Sequence, residues 1–438
     1  MNAKRILSLL LAVIMAFALC ACSARKPQEE PAVPEGEAAD KDAEASEPIV
    51  RVTYINEAGQ AMPLTVYGAS FSPSTLAYDP AYAACSSAFA ASMSSAILLD
   101  TEDPDWSGVY SPLSLQIALQ LLANGGDERT ADMLVEAVCN TMRREDVNTS
   151  TAKLLDLLNS YKGVTVNNAV IANSNYRVNE EYANTVGRYY GASIGTVDMS
   201  DAKTAEAMIN KWISDNTDGL VDDLVHGLSY DTVMLLINTL SFEMEWESPF
   251  YTMRGLNDFN GTRGTEQVAM IRSSGEYLYG RFDGGEMAVI PYKDSTCRMA
   301  VILPEEGVTP AEAAAALMAK WNECETAQGS ITMPKVELDT DLDIMPMLAS
   351  LGLEDAINGN YSGLLAGDLD PTVSKIYQGA KLIVNEEGTI AAAGTVIEMT
   401  KGLPPQDEFT LNCNRPYAMV IYDSATGVVL FVSIVNNV

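Results

Sequence analysis

The chain has 438 residues, 47% hydrophobic and 20% charged, which suits one large core or two ordinary ones and is too apolar for a disordered chain. With 27 Lys and Arg against 59 Asp and Glu, the formal charge is -32 and the pI near 4.2. This excludes nucleic acid and heparin-type polyanions as partners, since both are bound by cations that displace counterions, and it leaves neutral or basic ones.

Lys4 and Arg5 precede an apolar run from Ile6 to Leu19 that is too short for an ordinary membrane span, so residues 1–21 read as a secretory signal. Leu19-Cys20-Ala21-Cys22 resembles a bacterial lipobox, in which the small residue before the cysteine admits the peptidase and the Cys22 thiol is acylated. A plain signal peptide cleaved nearby is the alternative. Residues 22–48 are rich in Ala, Glu, Pro and Asp and carry no large apolar residue beyond Val33. They cannot bury enough surface to fold, and they read as an acidic, disordered tether. The expected location is outside the cell, lipid-anchored at the bacterial surface.

Residues 49–76 form a short appended segment. Within it Val50-Arg51-Val52-Thr53-Tyr54 and Pro63-Leu64-Thr65-Val66-Tyr67 alternate and would add a hairpin. The dense folded body spans residues 77–438. Residues 80–98 are Ala-rich with helical spacing, and Pro112–Ala123 has a helical apolar face with proline in its first turn. Ala202–Asn216 reads as a third helix, with Ile209, Trp212 and Ile213 on one side. Apolar runs at 232–242, 286–292 and 298–303 read as buried strands, and residues 416–422 and Val428–Val435 as a strand pair joined by the turn 423–427. Helices dominate early and strands late, so the fold class is α+β rather than a doubly wound parallel sheet. Cys85, Cys139, Cys297, Cys324 and Cys413 have no paired short spacing and read mostly as buried small hydrophobes; a disulfide is open but not expected.

Residues 384–396 read as a strand that is polar at one end and nearly free of side-chain bulk in the middle, where Ala391, Ala392, Ala393 and Gly394 stand. Gly388 and Gly394 keep the backbone pliable, and Thr389, Thr395, Val396 and Ile397 supply strand preference. A segment built this way can be a mobile loop or slide into a sheet.

Over about 77–438 the sequence resembles the serpins. Val109-Tyr110-Ser111-Pro112-Leu113-Ser114-Leu115 is similar to their Phe-Ser-Pro-Leu-Ser segment, and Ile209-Asn210-Lys211-Trp212-Ile213 to their Ile-Asn-Lys-Trp-Val motif. Asn238 to Phe242 with Trp246, Pro249 and Phe250, then Ile290-Pro291-Tyr292, Ile302-Leu303-Pro304 and Met333-Pro334-Lys335, continue the series. Asn385-Glu386-Glu387-Gly388-Thr389 is the family's hinge motif almost verbatim, and Asn414-Arg415-Pro416-Tyr417 resembles the strand after its exposed loop.

The resemblance implies a large mixed sheet A, two smaller sheets, surrounding helices and an exposed reactive loop. It also implies a suicide-substrate inhibitor of serine proteases, which traps the acyl-enzyme when the cleaved loop inserts as a new central strand of sheet A. A dozen newly paired residues, at roughly 1 kcal/mol net per hydrogen bond, would supply on the order of 10 kcal/mol, comparable to a domain's stability. Counting from Gly388 sets the nominal scissile bond at Gly402-Leu403. Lys401-Gly402 for a trypsin-like enzyme and Met399-Thr400 for an elastase-like one are rivals, and a subtilisin-like target is a further candidate. The implied hinge runs over Glu386, Glu387, Gly388, Thr389, Ile390, Ala391, Ala392, Ala393, Gly394 and Thr395. Ile390 and Gly394 depart from the family's usual Glu and Ala. Ser111, Ser114 and Asn238 match the family's hydrogen-bonded cluster where the sheet opens, with Gln378 in place of its usual His, and Trp246 matches the position under the upper end of the inserting strand.

Nothing in the sequence points to an enzyme or a cofactor. There is one histidine, His226, read as a surface or capping residue, and no Gly-x-Ser-x-Gly elbow, phosphate loop or metalloprotease helix. Asp339-Thr340-Asp341-Leu342-Asp343 begins like a calcium loop, but Ile344 occupies the required glycine position, so it reads as an acidic strand end or turn. The expected partners are serine proteases and, through the lipid, the membrane; the expected state is a monomer. The alternative is a non-inhibitory serpin acting as a binding or adhesion protein at the cell surface.

Overall fold

A computed structural model of the chain describes residues 48–55, 60–67, 71, 73, 78–100, 103, 105–221, 223–367, 369, 371–373, 376–389 and 407–438. The expected secretory signal, Cys22, the expected tether up to residue 47, the expected hinge positions Ile390 to Thr395 and the reactive-bond candidates Met399, Thr400, Lys401, Gly402 and Leu403 lie outside these residues.

Strands β1 (Pro48–Ile55) and β2 (Ala61–Tyr67) pair antiparallel, as their alternation suggested. Helix α1 (Ala81–Asp100) and strand β3 (Gly108–Tyr110) lead to α2 (Pro112–Ala123), which is buried along its whole length. Ser111 caps α2, its hydroxyl accepting from the Ser114 N–H, and Pro112 fills the first helical position, where no donor is needed. Asp127 caps α3 (Glu128–Cys139), followed by α4 (Arg144–Leu158), β4 (Val164–Asn173), the Asn179-capped α5 (Glu180–Tyr190) and β5 (Ser193–Val197). Asp201 caps α6 (Ala202–Asn216), which leads on to β6 (Met234–Phe242) and β7 (Met244–Glu245).

The strand-rich half holds β8 (Tyr251–Thr252), β9 (Asn257–Gly261), β10 (Gly264–Val268), β11 (Met270–Phe282), β12 (Gly285–Pro291) and β13 (Cys297–Pro304), then α7 (Pro310–Leu317). After it come β14 (Glu325–Pro334), β15 (Val336–Asp343), the short helices α8 (Met345–Ser350) and α9 (Glu354–Ile357), β16 (Tyr377–Val384), β17 (Gly388–Thr389), β18 (Phe409–Asn412), β19 (Tyr417–Asp423) and β20 (Val428–Val435). Asp339 to Asp343 form the end of β15, one of the two alternatives, strand end or turn, that their sequence left open.

The strands form ladders in four groups among the described residues. One runs β1-β2-β5-β4-β6, a second β15-β16-β17-β7, a third is the long sheet from β18 through β14, β11, β12, β13, β19 and β20 to β3 with β8 attached, and the fourth is the β9-β10 pair. Strands β6 and β16 lie side by side, yet no hydrogen-bonded ladder joins them among the described residues. The expected large sheet is thus two blocks meeting at a seam, with β17 bridging its upper end. The main core lies beneath both blocks, and a second apolar cluster lies between α6 and strands β2, β4, β5 and β6.

One expectation is corrected. Cys85 and Cys139, 54 residues apart, form a disulfide that ties α1 to the end of α3. The packing of these two helices brings the thiols together, which no short spacing could reveal. Cys297 and Cys413 are buried free thiols and Cys324 is half-buried.

Candidate functional site

The site begins where β16 ends. The Asn385 side-chain oxygen accepts from the Glu387 and Gly388 N–H groups at 2.9 and 3.2 Å, while the Asn385 N–H donates to the Gly388 carbonyl at 3.0 Å. This side-chain-built turn reverses the chain. Gly388 and Thr389 then run back as β17, with Thr389 opposite Val384 of β16 on one side and opposite Met244 of β7 on the other. Two residues of an extra antiparallel strand already occupy the top of the seam.

Glycine is required at 388 by close approach. A Cβ there would lie 2.0 Å from the Met244 carbonyl oxygen and 2.8 Å from the Glu245 Cα, both backbone atoms that cannot yield cheaply. The turn is held from outside as well: the Trp246 N–H donates to the Glu387 carbonyl and the Phe250 N–H to the Glu386 carbonyl, each at 2.7 Å, and the Trp246 ring N–H reaches the Asn385 carbonyl at 3.0 Å.

Thr389 is 1% exposed, and its hydroxyl lies 2.7 Å from that of Tyr292. The Tyr292 ring stacks on Trp246, with centroids 4.6 Å apart, and takes the edge of Phe242 at 4.9 Å. Burial pushes the Tyr292 phenol well above its ordinary range, against a smaller opposing pull from Thr389, so the hydroxyl pair is neutral. Glu386 is the charged member of the site. Its carboxylate lies 2.6 Å from the Lys335 Nζ and accepts from the Thr252 hydroxyl at 3.1 Å. Partial burial pushes this carboxyl up, but hydrogen bonds from Lys335, its own backbone N–H and Thr252 outweigh burial and hold it below its ordinary value.

Lower on the seam, the Gln378 amide pairs twice with the Ser111 backbone. Its Oε1 accepts from the Ser111 N–H at 3.2 Å and its Nε2 donates to the Ser111 carbonyl at 2.6 Å. Ser114 joins through its N–H to the Ser111 hydroxyl at 3.1 Å. Asn238 is not hydrogen-bonded into this group. It donates instead to the Asn168 side-chain oxygen at 2.6 Å, directly across the β4-β6 ladder, and Asn168 donates to the Tyr190 carbonyl at 2.7 Å.

A family profile described as "Serpin (serine protease inhibitor)" matches residues 85–438. The chain belongs to the serpin family. Among curated relatives, this serpin is 27% identical over 343 residues to an uncharacterised serpin-like protein of Thermococcus kodakarensis, covering 75% of this chain and 80% of the relative. It is 28% identical over 355 residues to serine proteinase inhibitor A3K of Cavia porcellus, covering 76% and 84%. Among solved structures, the thermophilic serpin tengpin in its native state superposes with a TM-score of 0.74 at 22% identity, covering 83% of this chain and 95% of tengpin. Thyroxine-binding globulin in complex with thyroxine superposes at 0.72 and 23% identity, covering 81% and 98%. These likenesses show the fold. Most serpins inhibit serine proteases rather than catalyse reactions, and some are non-inhibitory.

Of the residues singled out in this serpin's sequence, Glu386, Glu387, Gly388, Thr389 and Trp246 converge at the top of the seam, and Ser111, Ser114 and Gln378 lower down, where β16 begins. Thr252 and Asn168 were not singled out, and neither sits in a motif that would mark it. His226 is half exposed beside Asp223, with 3.7 Å between Nδ1 and Oδ1. Among the described residues no group of three or more His, Cys, Asp or Glu is placed to hold a metal ion, and no helix is long and apolar enough to cross a membrane.

Proposed function

We propose that this serpin is a suicide-substrate inhibitor of serine proteases of the elastase, trypsin or subtilisin kind. The protease serine attacks the carbonyl of Gly402, nominally, or that of Lys401 or Met399. The peptide bond to the next residue breaks, the new amine leaves with the carboxyl-terminal fragment, and the amino-terminal part remains on the protease as an ester. The freed segment then continues β17 down the seam between β6 and β16, carrying the acylated protease with it.

The observation that carries this reading is β17 itself, two residues seated between β16 and β7 above a seam that no ladder closes among the described residues. The residues that would follow, Ile390 to Thr395, are small except for Ile390. Surface placement through acylated Cys22 and a strongly anionic tether belongs to the same proposal and rests on the sequence around Cys22.

Incubation with elastase, trypsin and subtilisin tests it. The expected result is a complex stable in detergent with at least one of them, and mass spectrometry of the released carboxyl-terminal peptide identifies the bond by its first residue. Loop cleavage without any such complex, and without a rise in melting temperature of the cut form, would favour the non-inhibitory binding or adhesion role.

A further inference from the structure

Strands β1 and β2 precede the stretch matched by the family profile, yet they are built into the block that α6 covers. β2 pairs with β5 through Thr65↔Thr196, Val66↔Gly195 and Tyr67↔Ile194. Leu64 and Val66 are 0% and 2% exposed and share one apolar cluster with Ile209, Trp212 and Ile213 of α6. Both strands of the hairpin lie against that helix. The pairing is close: a Cβ on Gly195 of β5 would meet Ile171 Cδ1 of β4 at 2.6 Å and both the Thr65 carbonyl and Val66 Cγ2 at 3.3 Å, so the bare glycine makes room chiefly for Ile171 and eases the approach of β2.

The same cluster contains Leu235 and Ile237 of β6, the strand that borders the seam. Helix α6 and the segment after it, through Leu224 and Val225, thus share one apolar cover over β2, β5, β4 and β6, with β1 lying against the helix at the outer edge. A strand entering beside β6 must place side chains on the α6 face next to Leu235 and Ile237. The cover formed by α6 and the segment after it has to lift at that edge, and the apolar area it shares with the sheet resists the lift.

We propose that the β1-β2 hairpin is a clamp on α6, which holds the helix down at the side away from the seam and so slows loop insertion. The proposal rests on the insertion reading above, and it makes the appended segment a brake within the folded body.

The test uses the full chain carrying Leu64→Ala and Val66→Ala. In the uncut protein, amide hydrogen exchange along α6 is expected to quicken at least tenfold; unchanged exchange overturns the clamp whether or not any protease is trapped. With a trapped protease, complex formation is expected to quicken at least tenfold, and a rate equal to the parent's overturns the proposal. A parent that traps none removes the inhibitor reading, while the α6 exchange still decides whether the hairpin holds the helix.

Should the double variant fail to fold, Thr65→Cys with Thr196→Cys tightens the same contact without opening the core, since facing residues of an antiparallel pair lie within disulfide reach. The oxidised form is expected to show at least tenfold slower α6 exchange and insertion than the same protein reduced, with the parent in the same reductant as control. Equal rates in the two forms overturn the clamp.

Discussion

The hydroxyl oxygens of Tyr292 and Thr389 lie 2.7 Å apart with both residues buried, joining the second residue of β17 to an aromatic cluster in which Tyr292 stacks on Trp246 and takes the edge of Phe242. Tyr292→Phe keeps the stack and leaves the Thr389 hydroxyl buried without its partner. An unmade buried hydrogen bond costs about 1–3 kcal/mol. The expected outcome is amide exchange at Gly388 and Thr389 at least several-fold faster than in the parent, measured in the uncut protein. Exchange that does not change would mean the main-chain bonds alone hold β17.

Gly388 gives a sharper test, because the obstruction there is backbone. Gly388→Ala would bring its Cβ to 2.0 Å from the Met244 carbonyl oxygen, so β17 must leave the seam or β7 must move. Insertion then begins from an unseated hinge. The expected result is a partition of the protease reaction toward simple loop cleavage, with the yield of detergent-stable complex reduced at least several-fold. A complex yield equal to the parent's would count against β17 as the starting point of insertion.

Glu386 sets a pH dependence whose sign follows from its lowered value. A carboxyl held lower in the folded state than its ordinary 4.5 contributes stability that is fully present above that value and is lost as pH falls through the folded value. Lys335 and Thr252 supply the stabilising bonds. Glu386→Gln is therefore expected to melt below the parent at pH 7, with the gap narrowing as the pH is lowered from about 4.5 toward 3. A gap of constant size across that range would show that the carboxylate's charge is not what holds the turn.

How much of this was legible in sequence depended on whether a feature is local. The proline in the first turn announces α2 from order alone. Asn385 to Thr389 was marked as a motif by resemblance, but the reading of 384–396 as one strand is corrected: β16 ends at Val384, and the Asn385 side chain reverses the chain before β17 begins. The Tyr292–Thr389 contact joins residues 97 apart and the Cys85–Cys139 bond residues 54 apart. Neither leaves a trace in spacing, because helix packing and strand order decide them. Asn238 was assigned by resemblance to the group around Ser111, whereas strand register sets it opposite Asn168. The hairpin was visible as alternation, but its role beneath α6 was not, since nothing in residues 61–67 says which strand it will pair with. Helix α3 did carry a local signal that the sequence reading passed over, the Asp127 cap before an amphipathic run.

The lower part of the seam, where β16 begins at Tyr377, is expected to be insensitive to pH near neutrality. Gln378 is 4% exposed and closes a two-point pairing with the Ser111 backbone, which lies at the start of the buried helix α2. Opening the seam next to β16 strains this pairing, so the chemistry of residue 378 enters the barrier directly. An amide donates and accepts without titrating. The rate of loop insertion after cleavage is therefore expected to vary by less than about threefold between pH 5 and 8, a limit below the tenfold step that 1.4 kcal/mol would give. Gln378→His supplies the contrast. Neutral imidazole can accept from the Ser111 N–H or donate to its carbonyl, but the imidazolium can only donate, and burial penalises its charge. With an ordinary value of roughly 6.5, this histidine would titrate inside the tested range or just below it. The variant is expected to insert faster toward pH 5, as protonation removes its capacity to accept and weakens the closure of the seam. A parent rate that changes steeply between pH 5 and 8, or a histidine variant as flat as the parent, would place the controlling group elsewhere than residue 378.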